Sequence, residues 1–257
     1  MIATSAWQAF DDEIARWRDL GRVAPMWWRD DDAVDAGPAL ERLLAVRREA
    51  QAPLALAVVP AGATEALAAR LAREPDVDIL QHGYAHTNHA PPSDKKIELG
   101  AHRPAMLVVG ELGTGRLALE RLFGARALPV LVPPWNRIAP LLVPTLPEIG
   151  FVGLSTFGVR RRVEPVRGLL QVNAHVDLID WKGGRGFVGE EAALSALLHA
   201  LAAARESGEP VGVLSHHLAM DERGWDFLRS LMGWARKTPG VELRAAQVIF
   251  ASREARS

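Results

Sequence analysis

The 257-residue chain sets 30 Lys and Arg against 31 Asp and Glu, a formal net charge of −1, and carries 8 His but no Cys. Without Cys there are no disulfides, thiolate-held zinc, iron–sulfur clusters or thiol nucleophile, so any metal must be held by imidazole and carboxylate. The balanced charge excludes nucleic-acid binding through a bulk basic field, and the length suffices to bury a core without covalent staples.

From the amino terminus, Trp7, Phe10, Ile14 and Trp17 recur at spacings of three and four. This predicts a helix over residues 1–20, an N-terminal extension (1–22) of one domain spanning 1–257. Asp11, Asp12 and Glu13 occupy the place where a secretory leader needs an apolar run. Nowhere do ~18 uninterrupted apolar residues occur, so the expectation is a cytoplasmic chain without a membrane span.

The next elements alternate in type. Strands are predicted at Ala24–Trp28, Leu54–Val59, Val77–Gln81, Leu128–Val132, Phe151–Ser155, Gly168–Val172, Val211–Ser215 and Val241–Ala245, with helices at Pro38–Ala50, Thr64–Arg73, Glu190–Ser207 and Glu222–Lys237. Short apolar strands alternating with amphipathic helices imply a mostly parallel α/β sheet, and seven or eight such units suit a barrel better than an open sheet. The Gly110–Gly115 run (GELGTG) is not a phosphate loop, since no Lys-Ser/Thr follows and the preceding residues read as helical. Arg160-Arg161-Arg162 reads as a solvated turn. The apolar face of Trp225, Phe227, Leu228, Leu231 and Trp234 is either core or interface, which leaves the oligomeric state open.

In parallel α/β folds, chemistry gathers on loops at the carboxyl ends of strands. Arg29-Asp30-Asp31-Asp32 follows the first predicted strand, and His82, His86 and His89 follow the third. Pro133-Pro134-Trp135-Asn136-Arg137 follows the fourth. His175, Asp177, Asp180 and Trp181 come later, then His216 and His217 after the Val211–Ser215 run. An acidic run at a strand end is either a solvated turn capping the next helix or one half of a cation site. Imidazoles four residues apart can converge on one ion. Taken together, the Asp and His clusters describe a two-His, one-carboxylate metal site with open positions. Trp135 and Trp181 are either core or an apolar wall beside it. His102 and His199 read as ordinary surface or helix residues.

The order Asp-Asp, His-x-x-x-His, Pro-Pro-aromatic, Asp-x-x-Asp-Trp, Leu-x-His resembles the polysaccharide deacetylase (NodB-homology, carbohydrate esterase family 4) superfamily over roughly residues 25–220. The resemblance implies a distorted (β/α)7 barrel and metal-dependent removal of acetyl groups from an N-acetylated saccharide or a related amide or ester. By that resemblance Asp31 is the general base and Asp32 a metal ligand, with Asp30-Asp31 offering the same pair one residue earlier. His82 and His86 are the other ligands, with Gly83 where the motif has a hydroxyl residue; His86-Thr87-Asn88-His89 competes at a spacing of three. The implied cofactor is a divalent ion, zinc first, with Co, Ni, Mn or Fe compatible.

The third motif departs from the family pattern: Pro134 and Trp135 keep its Pro-aromatic part, but the Arg that orients the base is missing. Arg29 and Arg137 are the candidates to replace it. Asp177, Asp180 and Trp181 match the fourth motif in full. Leu214-Ser215-His216 matches the fifth and makes His216 the general acid, with His217 an addition. The missing Arg leaves two alternatives: a non-catalytic carbohydrate-binding homologue, or a C–N hydrolase acting on a non-sugar amide.

Overall fold

The computed structural model describes residues 2–251. In chain order the elements are α1 (Ile2–Asp19), β1 (Ala24–Ala33), α2 (Pro38–Ala50), β2 (Leu54–Val58), α3 (Glu65–Leu71), β3 (Val77–His82), α4 (Ala105–Phe123), β4 (Ala127–Val132), β5 (Gly153–Leu154), β6 (Leu170–Gln171), β7 (Ala174–Asp177), α5 (Glu190–Ser207), β8 (Val211–Ser215), α6 (Glu222–Lys237), β9 (Val241–Leu243) and α7 (Ala246–Ile249). The sheet runs β6-β5-β4-β3-β2-β1-β8-β7, with β9 beside the start of β1, and all its strand pairs are parallel.

The two ends of that path meet. β6 and β7 are one extended segment interrupted only by Val172 and Asn173. Its start pairs with β5, its middle bridges Phe157 through Ala174, and its end pairs with β8. Counted once, this segment closes a cylinder of seven staves, a distorted (β/α)7 barrel.

Alternation along the staves sorts side chains between two apolar layers. Trp28, Leu54, Leu56, Val58, Val77 and Ile79 face outward into the larger core, under α1, α2, α5 and α6. Trp27, Ala55, Ala57, Leu80, Val130 and Val132 fill the lumen, where alanines leave room for the indole. Below them Phe250 meets Trp27 edge-on at 6.0 Å, and Asp78 accepts from the Gln247 amide at 2.9 Å, fixing α7. This floor closes the amino-terminal end of the cylinder, so the carboxyl end is the accessible one.

Several sequence expectations change. β1 continues through the acidic run to Ala33 instead of ending at Trp28, so those aspartates belong to a strand and not to a solvated turn. Their charges are tolerated there because Arg29 and His217 answer them. His175 lies within β7 and not beyond a strand end. The GELGTG run lies inside α4, and Trp225, Phe227, Leu228 and Leu231 are buried core. Trp234 packs edge-on to Phe10 of α1 at 5.2 Å. Of the three consecutive arginines, Arg161 and Arg162 are exposed, but Arg160 is folded in, donating to the Gln171 carbonyl at 2.6 Å. Among the described residues no helix is long and apolar enough to cross a membrane.

Candidate metal centre and its surroundings

The carboxyl end of β1 carries a bulge. Asp30 pairs with Leu56 and Ala33 with Val58, three steps on one strand against two on the other. The extra residue breaks the alternation, and Asp32 takes a left-handed backbone (φ +76). Asp32 thereby turns into the barrel mouth beside Asp31, while Asp30 stays on the outer face.

Asp32 Oδ1 lies 3.0 Å from His82 Nε2 and 3.2 Å from His86 Nε2. One ligand atom from each of the three residues falls within 4.8 Å of the others. His82 ends β3, and its Nδ1 donates to the Val132 carbonyl at 3.0 Å. A carbonyl can only accept, so Nδ1 carries a hydrogen and Nε2 is left to face the carboxylate oxygen. Two acceptors at 3.0 Å need a cation between them, either a proton or a metal ion. Two imidazoles, one carboxylate and a carbonyl fixing the tautomer are a donor set suited to a divalent transition ion.

Burial pushes the Asp32 carboxyl up, but hydrogen bonds from His82 and His86 prevail and hold it well below the usual carboxylate range. Burial pulls His86 down, and the Asp32 carboxylate more than reverses that, leaving it raised. The Trp135 ring lies 4.4 Å from that of His86, on a tight turn where Trp135 and Asn136 are both left-handed.

Arg29, fully buried, points into the lumen and grips Asp31 side-on, Nε at 2.9 Å from Oδ1 and Nη2 at 3.0 Å from Oδ2. Nη2 also donates to Asn136 Oδ1 at 2.6 Å, and Nη1 donates to Ser155 Oγ at 2.7 Å and to the Thr156 carbonyl at 3.3 Å. The guanidinium thus holds the Asp31 carboxylate from two residues earlier on the same strand, by one hydrogen bond from Nη2 and an ion-pair contact at Nε. Arg137 takes no part: it donates to the Lys96 carbonyl at 2.7 Å.

Opposite stands His216, with Nδ1 3.6 Å from Asp177 Oδ1. Trp181 donates its indole N–H to Asp177 Oδ2 at 2.8 Å and presents its ring edge-on to His216 at 4.8 Å. At 46% exposure Trp181 is a wall of the mouth and not core. Burial opposes the charged imidazole, but the nearby carboxylates of Asp177, Asp31 and Asp32 push His216 up to about 9. Asp180 stays out of the mouth, its Oδ1 accepting from the Lys182 and Gly183 amides and folding the turn after Trp181.

Asp30 forms a separate network. Its buried carboxylate accepts from Ser215 Oγ at 2.5 Å and pairs with His217 Nδ1 at 2.5 Å, while Trp28 donates to Ser215 Oγ at 2.8 Å. Burial lowers His217 and the Asp30 charge outweighs it, leaving the imidazole raised. With Asp30 committed there, Asp31 and Asp32 are the pair facing the mouth. His89 stands apart from the Asp32–His82–His86 group, its backbone N–H donating to the Ile97 carbonyl. His175 accepts from the Gly212 amide at the far end of β8. His102 and His199 are exposed.

Asn136, Ser155 and Glu98 were not legible as site residues. The first two sit beside a motif and at a predicted strand end, which is a weak local signal; Glu98 has none.

No protein-family model and no curated protein matches the sequence. Solved structures do match. A candidate polysaccharide deacetylase from Mycobacterium smegmatis superposes with a TM-score of 0.68 at 18% identity, covering 91% of this chain and 95% of that one. The fold is that of the polysaccharide deacetylases. The peptidoglycan deacetylase PdaC from Bacillus subtilis gives a TM-score of 0.58 at 13% identity, over 91% and 93% of the two chains. A family 4 acetyl xylan esterase from Clostridium thermocellum, in complex with a cobalt ion, gives 0.53 at 15% identity, over 88% and 89%. At such identities these likenesses show the fold alone, and this chain's departures from the motifs have to be understood from its own contacts.

Proposed function

We propose that this chain is a metal-dependent hydrolase that removes acetyl groups from an N-acetylated saccharide or a related amide or ester. The observation that carries this reading is the Asp32–His82–His86 cluster, where two imidazole nitrogens converge on one carboxylate oxygen beside a second, separately oriented carboxylate. Asp32, His82 and His86 hold the ion, zinc first, with Co, Ni, Mn or Fe compatible with the same donors. When bound, a divalent ion supplies Lewis acidity toward the substrate carbonyl and a more acidic water.

The remaining roles fall to the chain's own residues. Asp31, held by the Arg29 guanidinium, accepts the proton of the attacking water. His216 is an imidazolium throughout the neutral range, because its value of about 9 lies above it. It donates its own ring proton to the departing amine or alcohol, which would otherwise leave as a poor anion. Asp177 steadies His216, and Trp135 and Trp181 flank the mouth as apolar walls against which a sugar face can lie. The non-catalytic alternative rests on the missing third-motif arginine; the Arg29–Asp31 contact supports the catalytic reading instead.

The test is metal analysis of the wild type and His82→Ala, paired with acetate release from a panel of N-acetyl sugars. One ion per chain, lost in His82→Ala, together with acetate release is the expected result. A wild type that takes up no metal overturns the reading. Metal uptake with a product other than acetate moves the chain to the non-sugar C–N hydrolases.

A further inference from the structure

Two of the proposed ligands, His82 and His86, are the ends of one short loop, and a side chain from outside that loop shapes it. Glu98 is 1% exposed, and among the described residues no cationic side chain is paired with it. Its carboxylate instead accepts from three backbone amides of the loop: Ala85 at 2.7 Å, Tyr84 at 3.1 Å and Thr87 at 3.5 Å. Consecutive amides turned onto one anion form a nest, which holds the backbone in a fixed curl. The curl has visible consequences, since Gly83 (φ +58) and His86 (φ +55) are both left-handed.

Gly83 belongs to the same arrangement. A Cβ at this position would overlap Glu98 Oε2 and lie 2.6 Å from the Pro134 ring. The carboxylate therefore fills the place where the second motif otherwise carries a hydroxyl side chain. Glu98 is itself held on both sides: Ile97 donates to Asn88 Oδ1 at 3.0 Å and accepts from the His89 amide at 3.1 Å, while Leu99 bridges Ile138. A buried carboxylate held in no ion pair is costly to keep, and here its hydrogen bonds all serve the segment that delivers His86.

We propose that Glu98 is a positioning residue for His86, setting through the loop amides the approach of His86 Nε2 to Asp32, and that Gly83 makes the room it needs. The inference rests on the metal-ligand roles given above. It is tested by zinc titration against a competing chelator, for wild type, Glu98→Gln, His86→Ala and the double variant. Amide hydrogen exchange of residues 83–88 is measured on the metal-free wild type and Glu98→Gln.

Glu98→Gln keeps the shape but loses the charge, and is expected to weaken zinc binding about tenfold or more, as partners that orient ligands do. In the His86→Ala background the same change is expected to add less than about twofold, because a residue acting through His86 has nothing left to position. Amides 84, 85 and 87 are expected to exchange about tenfold faster in Glu98→Gln, with the barrel strands unchanged. Should Glu98→Gln fail to fold, Glu98→Asp, which keeps the charge on a shorter arm, carries the same comparison. An equal loss in the His86→Ala background, or unchanged exchange at 84–87, overturns the proposal. Zinc uptake that Glu98→Gln leaves unaltered overturns this proposal alone, whereas a wild type without zinc uptake overturns the metal reading together with it.

Discussion

Asp30, Asp31 and Asp32 are consecutive and chemically identical, yet each meets a different partner: an imidazole on the outer face, a guanidinium in the lumen, and two imidazoles at the mouth. At Asp31 the test is the arginine. Arg29→Lys keeps the charge but cannot make both contacts, so kcat/KM for acetate release is expected to fall about 100-fold with zinc affinity retained. Arg137→Ala, which removes a guanidinium bonded to the Lys96 carbonyl and not to Asp31, is expected to leave kcat/KM within about twofold. Equal losses in the two variants would contradict the assignment of Arg29.

The His216 value carries a pH dependence whose sign is fixed. Its folded value, about 9, lies above the ordinary 6.5, so folding favours the imidazolium. That contribution to stability is fully present below pH about 6.5 and is lost as pH rises through 9. Activity that needs the acid form falls on the same rise. The kcat–pH profile is expected to show a basic limb near pH 9, and Asp177→Asn to draw that limb toward neutrality by removing the negative charge beside the imidazole. A limb unmoved by Asp177→Asn would take His216 out of the acid role.

At the scale of elements, β1 and β8 are tied together at their carboxyl ends by Asp30, Ser215 and His217, directly behind Asp31 and His216. Asp30→Ala leaves a buried imidazole without its counter-charge, and is expected to lower unfolding free energy by about 3–5 kcal/mol in urea titration. Asp32→Ala, at a partly exposed carboxylate, is expected to cost clearly less in the metal-free chain. Comparable losses would mean that the Asp30 network is no more structural than the mouth.

Much of this element-level arrangement was legible in the sequence. Apolar runs located eight of the nine strands closely enough to put Asp32, His82, Trp135 and His216 at the same end of the barrel. The extension of β1 through four charged residues was not legible. Charge argues for a loop, and only the tertiary partners Arg29, Ser215 and His217 make a strand tolerable there. β7 escaped for a related reason: His175 and Asp177 interrupt its apolar pattern, while its two buried residues are only Ala174 and Val176. Glu98 could not have been found at all, since its partners are backbone amides, which leave no trace in residue types.

At the scale of the whole molecule, the floor formed by α7 and Phe250 decides which end of the cylinder is open. Phe250 packs on Trp27 and against Gly153, so Phe250→Ala is expected to open a cavity costing about 3–5 kcal/mol, read by urea unfolding. Zinc affinity per folded chain is expected to change little, because the ligands lie at the opposite end of the strands. Loss of zinc affinity in a chain that remains folded would show that floor and mouth are coupled.

Arg29 reaches from β1 across the lumen to Asn136, 107 positions along the chain, and to Ser155, 126 positions along. It works as a spoke, and a spoke has nothing to pull on until the rim is complete. Asp31 therefore cannot be oriented in a chain that is still emerging or that has been cut between the two. On the proposed function, hydrolysis would switch on only with the finished cylinder, so acetate release would report global folding and not the survival of a local motif.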